Sequence, residues 1–103
     1  MKPLSGDPIR VLAVDDDPAA LRLVSRVLSS AGYKVTAVDN GNAAIEEIRA
    51  TCPDILVCDW EMPEMDGLEL CRVIRQEKLP QYLYILLLTA RSLTKDMIIG
   101  LES

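Results

Sequence analysis

Four apolar runs of strand length, separated by segments with helical periodicity, most constrain how this 103-residue chain can fold. Three of the runs, at residues 9–14, 55–58 and 84–88, are almost continuously apolar. Strands of this kind are usually buried on both faces, as they are in a parallel sheet. The fourth run, at residues 33–38, alternates between apolar and polar residues and suits the edge of a sheet.

Helix-start and helix-stop residues lie between these runs. Asp17 followed by Pro18 predicts an N-cap and a first helical residue, and Gly32 suits the end of that helix. Further helices are predicted to begin at Asn40-Gly41, at Asp66-Gly67 and at Ser92 or Thr94. The alternation of strands and helices predicts an α/β fold, a doubly wound parallel sheet with right-handed crossovers.

The last predicted helix is the fourth. Its apolar positions are Met97, Ile98 and Leu101, which recur at helical spacing. Residues 1–8 are polar and contain proline and glycine, so they are expected to be a disordered lead-in. One domain is therefore expected over residues 9–103.

Acidic residues follow two of the predicted strands. Asp15, Asp16 and Asp17 come after the first strand, and Asp59 ends the third. Ligand sites of parallel sheets lie outside the carboxyl ends of the strands, so Asp15, Asp16 and Asp59 are expected to meet there if the two strands are neighbours. Clustered carboxylates repel one another, and a hard divalent cation with oxygen ligands, Mg²⁺, removes that repulsion. A carboxylate beside Mg²⁺, with the hydroxyl of Thr89 after the fourth strand, suits phosphoryl transfer.

Composition argues against several other classes. The net charge of −5 and the lack of a Lys/Arg cluster argue against nucleic-acid binding by this domain. The longest apolar run, at residues 82–88, is too short to cross a membrane. Three cysteines without a Cys-x-x-Cys pair indicate neither a disulfide framework nor a zinc site, and reduced, buried thiols in the cytoplasm are expected. No Gly-rich phosphate loop is present, so a nucleotide is not the expected ligand.

Three motifs together resemble the receiver domains of bacterial response regulators: VLAVDDDP at 11–18, ILVCDWEMPEMDG at 55–67 and LLLTA at 86–90. The resemblance runs from residue 9 to the end of the chain. It implies a flavodoxin-like fold with strand order 2-1-3-4-5, and it implies that the domain is a signalling switch and not an enzyme acting on an external substrate.

The resemblance also implies a role for particular residues. Asp59 looks like the phosphoacceptor and Thr89 like the switch hydroxyl. The Mg²⁺ ligands implied are Asp15, Asp16, Asp59 and the backbone carbonyl of Glu61. The partners implied are a histidine kinase or phosphotransfer protein as donor, and an effector domain outside this chain.

One departure from the family pattern concerns the end of the chain. Receivers continue with a fifth strand, a lysine at its end and a fifth helix, whereas the sequence stops at Ser103. The domain is therefore expected to be incomplete at its C-terminus, lacking both elements. The fourth strand would then be an exposed apolar edge. Two outcomes stay open: two copies form a homodimer through this edge or by exchanging segments, or the remainder of a longer protein covers it.

Two other function classes stay open at this point. In an aspartate-nucleophile phosphohydrolase, Asp15 would be the nucleophile and Asp17 the acid, which leaves the segment 59–63 unexplained. A receiver-like domain that only binds partners is the third class, and the cost of clustered, uncompensated carboxylates argues against it.

Overall fold

The computed structural model describes residues 7–59, 62, 64–88 and 98–101. The elements, in chain order, are β1 Arg10–Val14, α1 Pro18–Ser30, β2 Lys34–Val38, α2 Gly41–Thr51, β3 Ile55–Asp59, α3 Gly67–Arg75, β4 Tyr84–Leu88 and β5 Ile98–Leu101. Predicted strands and observed strands agree for β1 to β4.

The strands form one sheet in the order β2-β1-β3-β4-β5. β1 pairs in parallel with β2 and with β3, and β3 pairs in parallel with β4. The predicted parallel sheet is thereby confirmed, and so is the edge position of β2, the strand with the more alternating sequence. Because β1 and β3 are neighbours, the residues that end them lie at one edge of the sheet.

The last described strand corrects the prediction of a fourth helix. Ile98–Leu101 is a strand that pairs antiparallel with β4, and not a helical segment. The start of the predicted helix, at residues 92–97, lies outside the described residues. β-Branched Ile98 and Ile99 favour extended backbone, and the N–H and C=O groups along β4 give that backbone hydrogen-bond partners. The pairing also corrects the expectation that β4 is an uncovered edge, because β5 occupies the side of β4 away from β3.

Each of the three described helices begins at a side chain that accepts a backbone hydrogen bond. The carboxylate of Asp17 accepts from Ala19 N, the amide oxygen of Asn40 from Ala43 N, and the carboxylate of Asp66 from Glu69 N, at 3.1, 2.8 and 2.9 Å. Such caps satisfy N–H groups that the first helical turn leaves without a partner. Three of the four helix starts predicted from the sequence are thus confirmed, and the fourth, at Ser92 or Thr94, lies outside the described residues.

The two faces of the sheet are covered differently. α2 and α3 cover the face of the sheet that holds the main hydrophobic core. On this face, the strand residues Leu12, Leu56 and Leu87 are fully buried. α1 packs on β1 and β2 over the other face, and none of its residues is buried. The three cysteines are free and buried, as expected. Among the described residues, no helix is long and apolar enough to span a membrane.

Candidate metal centre

The acidic site lies where β1 and β3 end. Val14, the last residue of β1, pairs with Cys58 of β3, so Asp15 and Asp59 are one step further along neighbouring strands. Asp15, Asp16 and Asp59 each offer one carboxylate oxygen, and these oxygens all lie within 4.8 Å of one another. The predicted convergence of these side chains is therefore present in the structure.

Local hydrogen bonds hold the first carboxylate. The backbone N–H of Asp17 donates to Oδ1 of Asp15 at 2.9 Å, and the N–H of Asp15 donates to the carbonyl of Val38 at 3.3 Å. Asp17 therefore does two things: its side chain caps α1, and its main chain orients Asp15. The sequence pattern identified only the cap, because the second bond depends on how the chain turns between β1 and α1.

In the absence of a cation, burial and mutual repulsion disfavour the charged form of the carboxylates at this site. Burial raises the pKa of Asp15, and the negative charges of Asp16 and Asp17 raise it further, whereas the hydrogen bond from Asp17 N–H lowers it. Burial, together with the charges of Asp59 and Asp15, raises the pKa of the Cys58 thiol to about 12. Cys58 is thus held as a neutral thiol under the site, and is not a reactive thiolate.

The surroundings of the cluster are apolar on one side. A small cleft beside Asp15 and Asp59 is lined by Leu21 and Val24 of α1, by Val57 and by Leu88. Apolar walls lower the local dielectric and strengthen the attraction between carboxylates and a cation. Asp16, by contrast, is exposed, so the site opens to solvent on that side.

Two predicted site residues, Glu61 and Thr89, lie outside the described residues. In the sequence, Thr89 directly follows Leu88, which is in register with Asp59. The loop after β3 is described at Met62 and again from Glu64, and Met62 is buried in the core. Among the described residues, the candidate oxygen ligands are thus three carboxylates, a donor type that suits a hard divalent cation.

Comparison with known proteins decides the family. A family model described as the response regulator receiver domain matches residues 11–103. The chain belongs to this family. Receiver domains are modules of two-component signalling systems, so the chain is a signalling domain of the response regulator type.

Named relatives of this receiver domain are response regulators. Transcriptional regulatory protein TrcR of Mycobacterium tuberculosis (strain ATCC 25618 / H37Rv) is 42% identical over 98 residues, covering 95% of this chain and 37% of the relative. Response regulator MprA of Mycobacterium leprae (strain TN) is 42% identical over 97 residues, covering 92% of this chain and 41% of the relative. The receiver chain thus spans about two-fifths of the length of the curated relatives it matches.

Solved structures support the fold of the receiver. The chemotaxis response regulator CheY4 of Vibrio cholerae is 31% identical with a TM-score of 0.77, over 86% of this chain and 72% of that one. The N-terminal domain of a response regulator receiver protein from Methanoculleus marisnigri JR1 is 31% identical with a TM-score of 0.75, over 85% and 72%. The flavodoxin-like receiver fold predicted from the sequence is confirmed by these similarities.

Proposed function

We propose that Asp59 is the phosphoacceptor of this receiver and that its phosphorylation requires Mg²⁺. The observation that carries the proposal is the convergence of Asp15, Asp16 and Asp59, whose oxygens lie within 4.8 Å of one another at the ends of β1 and β3. Asp59 ends a rigid strand, so its position is fixed by the sheet and not by a loop. The phosphate donor is a histidine kinase or a phosphotransfer protein.

The chemistry assigns one task to each acidic group. A carboxylate oxygen of Asp59 attacks phosphorus, the bond between phosphorus and the donor's imidazole nitrogen breaks, and that nitrogen keeps the electron pair. The product is an acyl phosphate on Asp59. Asp15 and Asp16, with the carbonyl of Glu61, would hold Mg²⁺, Asp59 completing the set. A bound Mg²⁺ would offset the negative charge of the carboxylates and of the incoming phosphoryl group.

Thr89 is proposed to serve the phosphoryl group and not the metal. Its support is sequence position: it directly follows Leu88, the residue in register with Asp59. We expect Thr89→Ala to leave the Mg²⁺ dissociation constant within about twofold of wild type, since the hydroxyl is not a ligand. The change of shape on phosphorylation should be reduced. Hydrogen exchange of β4 amides with and without phosphorylation measures this, and a loss of Mg²⁺ affinity as large as that of Asp16→Asn would contradict the assignment.

The hydrolase alternative fits the site less well. It needs Asp17 as a general acid that protonates a leaving group. The carboxylate of Asp17 instead accepts the N–H of Ala19 as the cap of α1. The receiver is therefore proposed to act on no external substrate, and to catalyse at most its own phosphorylation and dephosphorylation.

Phosphorylation of Asp59 can be tested by intact mass. The receiver would be incubated with a small phosphodonor such as acetyl phosphate, with Mg²⁺ or with a chelator. Wild type is expected to gain one phosphoryl group only with Mg²⁺, and Asp59→Asn to gain none. Asp39→Asn is the matched control, since Asp39 is also an acidic residue following a strand, β2, but is not in the cluster.

Other outcomes would overturn the proposal. Equal incorporation into wild type and Asp59→Asn would place the phosphoryl group elsewhere. No incorporation into any of the proteins, together with no Mg²⁺ binding, would favour a domain that only binds partners.

The output of the switch is proposed to lie outside this chain. The curated relatives are more than twice as long as the part that matches, and TrcR is called a transcriptional regulatory protein. We expect an effector domain to carry any nucleic-acid contact, since the net charge of the receiver chain is −5. The expected homodimer through an exposed β4 is not proposed again, because β5 covers that edge.

A further inference from the structure

Cys58, the residue before Asp59 on β3, makes a hydrogen bond to the main chain of its neighbour. Its Sγ–H donates to the carbonyl oxygen of Asp59, and the distance between sulfur and oxygen is 3.2 Å. Cys58 is fully buried in the core that α2 and α3 cover. A thiol is protonated at neutral pH, so the donor hydrogen is present. The buried thiol therefore links the core to the main chain of the proposed phosphoacceptor.

The side chains of these two residues leave β3 in opposite directions, because successive strand residues alternate between the faces of a sheet. Cys58 belongs to the core, whereas Asp59 lines the cleft beside Leu21 and Val24 of α1. Atoms in a core are close-packed, so the sulfur has little room to move. The carbonyl carbon of Asp59 is bonded to the Cα that carries the carboxylate side chain. A fixed donor at this carbonyl thus restricts rotation about the Cα–C bond of Asp59.

Asp59 is the last residue of β3, where such a restraint has most effect. It is in register with Leu88 of β4, whereas the register between β1 and β3 ends one residue earlier, at Val14 and Cys58. Residues at the end of a strand open more easily than those in its middle. The hydrogen bond from Cys58 therefore adds to the pairing with β4 in holding Asp59.

We propose that Cys58 is a positioning residue for Asp59: its buried S–H group holds the Asp59 carbonyl and thereby keeps the carboxylate in the orientation from which it attacks phosphorus. The inference rests on the proposed function, in which Asp59 is the nucleophile. Cys58 touches neither the metal nor the phosphoryl group, and it forms no covalent intermediate. An S–H group is a weak donor, so its effect on the phosphorylation rate is modest.

Three substitutions of Cys58 separate the hydrogen bond from packing. Cys58→Val keeps an apolar side chain of similar size but has no donor, and Cys58→Ala has no donor and leaves a small cavity. Cys58→Ser keeps a donor, since its hydroxyl can also donate to the Asp59 carbonyl. The rate constant for phosphorylation by acetyl phosphate, followed by intact mass at saturating Mg²⁺, should fall roughly two- to fivefold in the valine and alanine variants. In Cys58→Ser it should equal or exceed the wild-type value.

A purely structural role of Cys58 predicts a different order of rates. Burial of a hydroxyl costs more than burial of an apolar group, so Cys58→Ser should be less stable than Cys58→Val in denaturant unfolding. If packing alone mattered, the serine variant would then also be phosphorylated more slowly than the valine variant. That order of rates would overturn the inference. If Cys58→Ala does not fold, the comparison between valine and serine still decides.

Cys71 provides the matched control, because it is a buried cysteine of α3 in the same core. Cys71→Val and Cys71→Ser should change the stability of the domain and leave the phosphorylation rate constant at its wild-type value. A loss of rate in Cys71→Val as large as that in Cys58→Val would show a general effect of core packing, and would also overturn the inference.

The hydrogen bond itself can be measured by infrared spectroscopy, because donation lowers the stretching frequency of an S–H group. Difference spectra between wild type and variants that lack one cysteine isolate each band. The Cys58 band is expected at a lower frequency than the Cys52 band, since Sγ of Cys52 is 4.0 Å from its acceptor, the carbonyl oxygen of Gln81. A Cys58 band at the same or a higher frequency would contradict the inference.

The phosphorylation assay also separates failure of this inference from failure of the proposed function. Equal rate constants in wild type, Cys58→Val and Cys58→Ala would overturn the role of Cys58 alone. A wild-type protein that takes up no phosphoryl group on Asp59 would instead overturn the proposed function.

Discussion

At the scale of single residues, the acidic cluster has a cost in stability. Asp15, Asp16 and Asp59 are brought within 4.8 Å by strands that form regardless of the charges they carry. The raised pKa of Asp15, caused first by burial and then by its acidic neighbours, reflects part of that cost. Two carboxylates about 4 Å apart repel each other by roughly 1 kcal/mol in bulk water and by more beside apolar walls, so the rest of the fold must offset the cost of the cluster.

Asp16→Asn is predicted to raise the thermal stability of the Mg²⁺-free protein and to abolish its response to Mg²⁺. The substitution removes one negative charge and one ligand at the same site. Wild type should be stabilised by Mg²⁺, by about 2.7 kcal/mol at a concentration 100-fold above the dissociation constant. Thermal unfolding with and without Mg²⁺ measures both effects. Glu46→Gln removes an equal charge from the exposed surface of α2 and should leave the Mg²⁺ response unchanged.

A wild-type unfolding temperature that does not change with Mg²⁺ would contradict the site as a whole. A normal Mg²⁺ response in Asp16→Asn would instead remove Asp16 alone from the ligands.

At the scale of elements, the N-cap of α3 also holds one end of the loop that begins at the acidic site. Asp66 ends the loop that begins at Asp59 and starts α3, whose residues Leu70 and Ile74 are buried in the core. A cap is worth about 1 kcal/mol because it satisfies an N–H that the helix leaves without a partner. The loop after β3 is therefore anchored by α3 on one side, and by Met65 against Gly41 of α2 on the other.

Asp66→Ala is predicted to destabilise the domain by about 1 kcal/mol, and Asp66→Asn by much less, since asparagine also accepts the N–H of Glu69. Denaturant unfolding of the three proteins measures the difference. Equal losses in the two variants would mean that the charge of Asp66 matters and its cap does not.

At the scale of the whole molecule, β5 covers the edge of the sheet that β4 would otherwise leave unpaired. Leu86 and Leu87 of β4 are in register with Gly100 and Ile99 of an antiparallel strand. An apolar strand such as β4 would otherwise present unpaired N–H and C=O groups, which recruit strands from other molecules. The pairing with β5 gives those groups partners within the same chain.

Proline substitutions in β5 are predicted to expose β4 and promote association. Successive N–H groups of a strand point to opposite sides, so only one of Ile99→Pro and Gly100→Pro removes a hydrogen bond to β4. That variant should show concentration-dependent association in sedimentation velocity, while the other serves as its control. Wild type should sediment as a smaller species than the affected variant at the same concentration. Two variants that both sediment like wild type would show that β5 does not protect β4.

The sequence alone determined the parallel sheet, the starts of α1, α2 and α3, and the convergence of Asp15, Asp16 and Asp59. These features follow from local signals: continuous apolar runs, capping side chains, and carboxylates placed directly after strands. Each signal is contained in a few neighbouring residues, and the topology rules for strand–helix–strand units then leave few arrangements.

Tertiary structure alone decided what residues 98–101 do and what Gly41 touches. Met97, Ile98 and Leu101 have helical spacing, but Ile98–Leu101 lies along β4, where backbone groups need partners; the tertiary hydrogen bonds outweigh a weak local preference. In the sequence, Gly41 is only the residue that follows the N-cap Asn40, and nothing there indicates a tertiary contact. Its contact with Met65 joins positions 24 residues apart, and depends on how closely α2 approaches the loop after β3, a distance that no local pattern encodes.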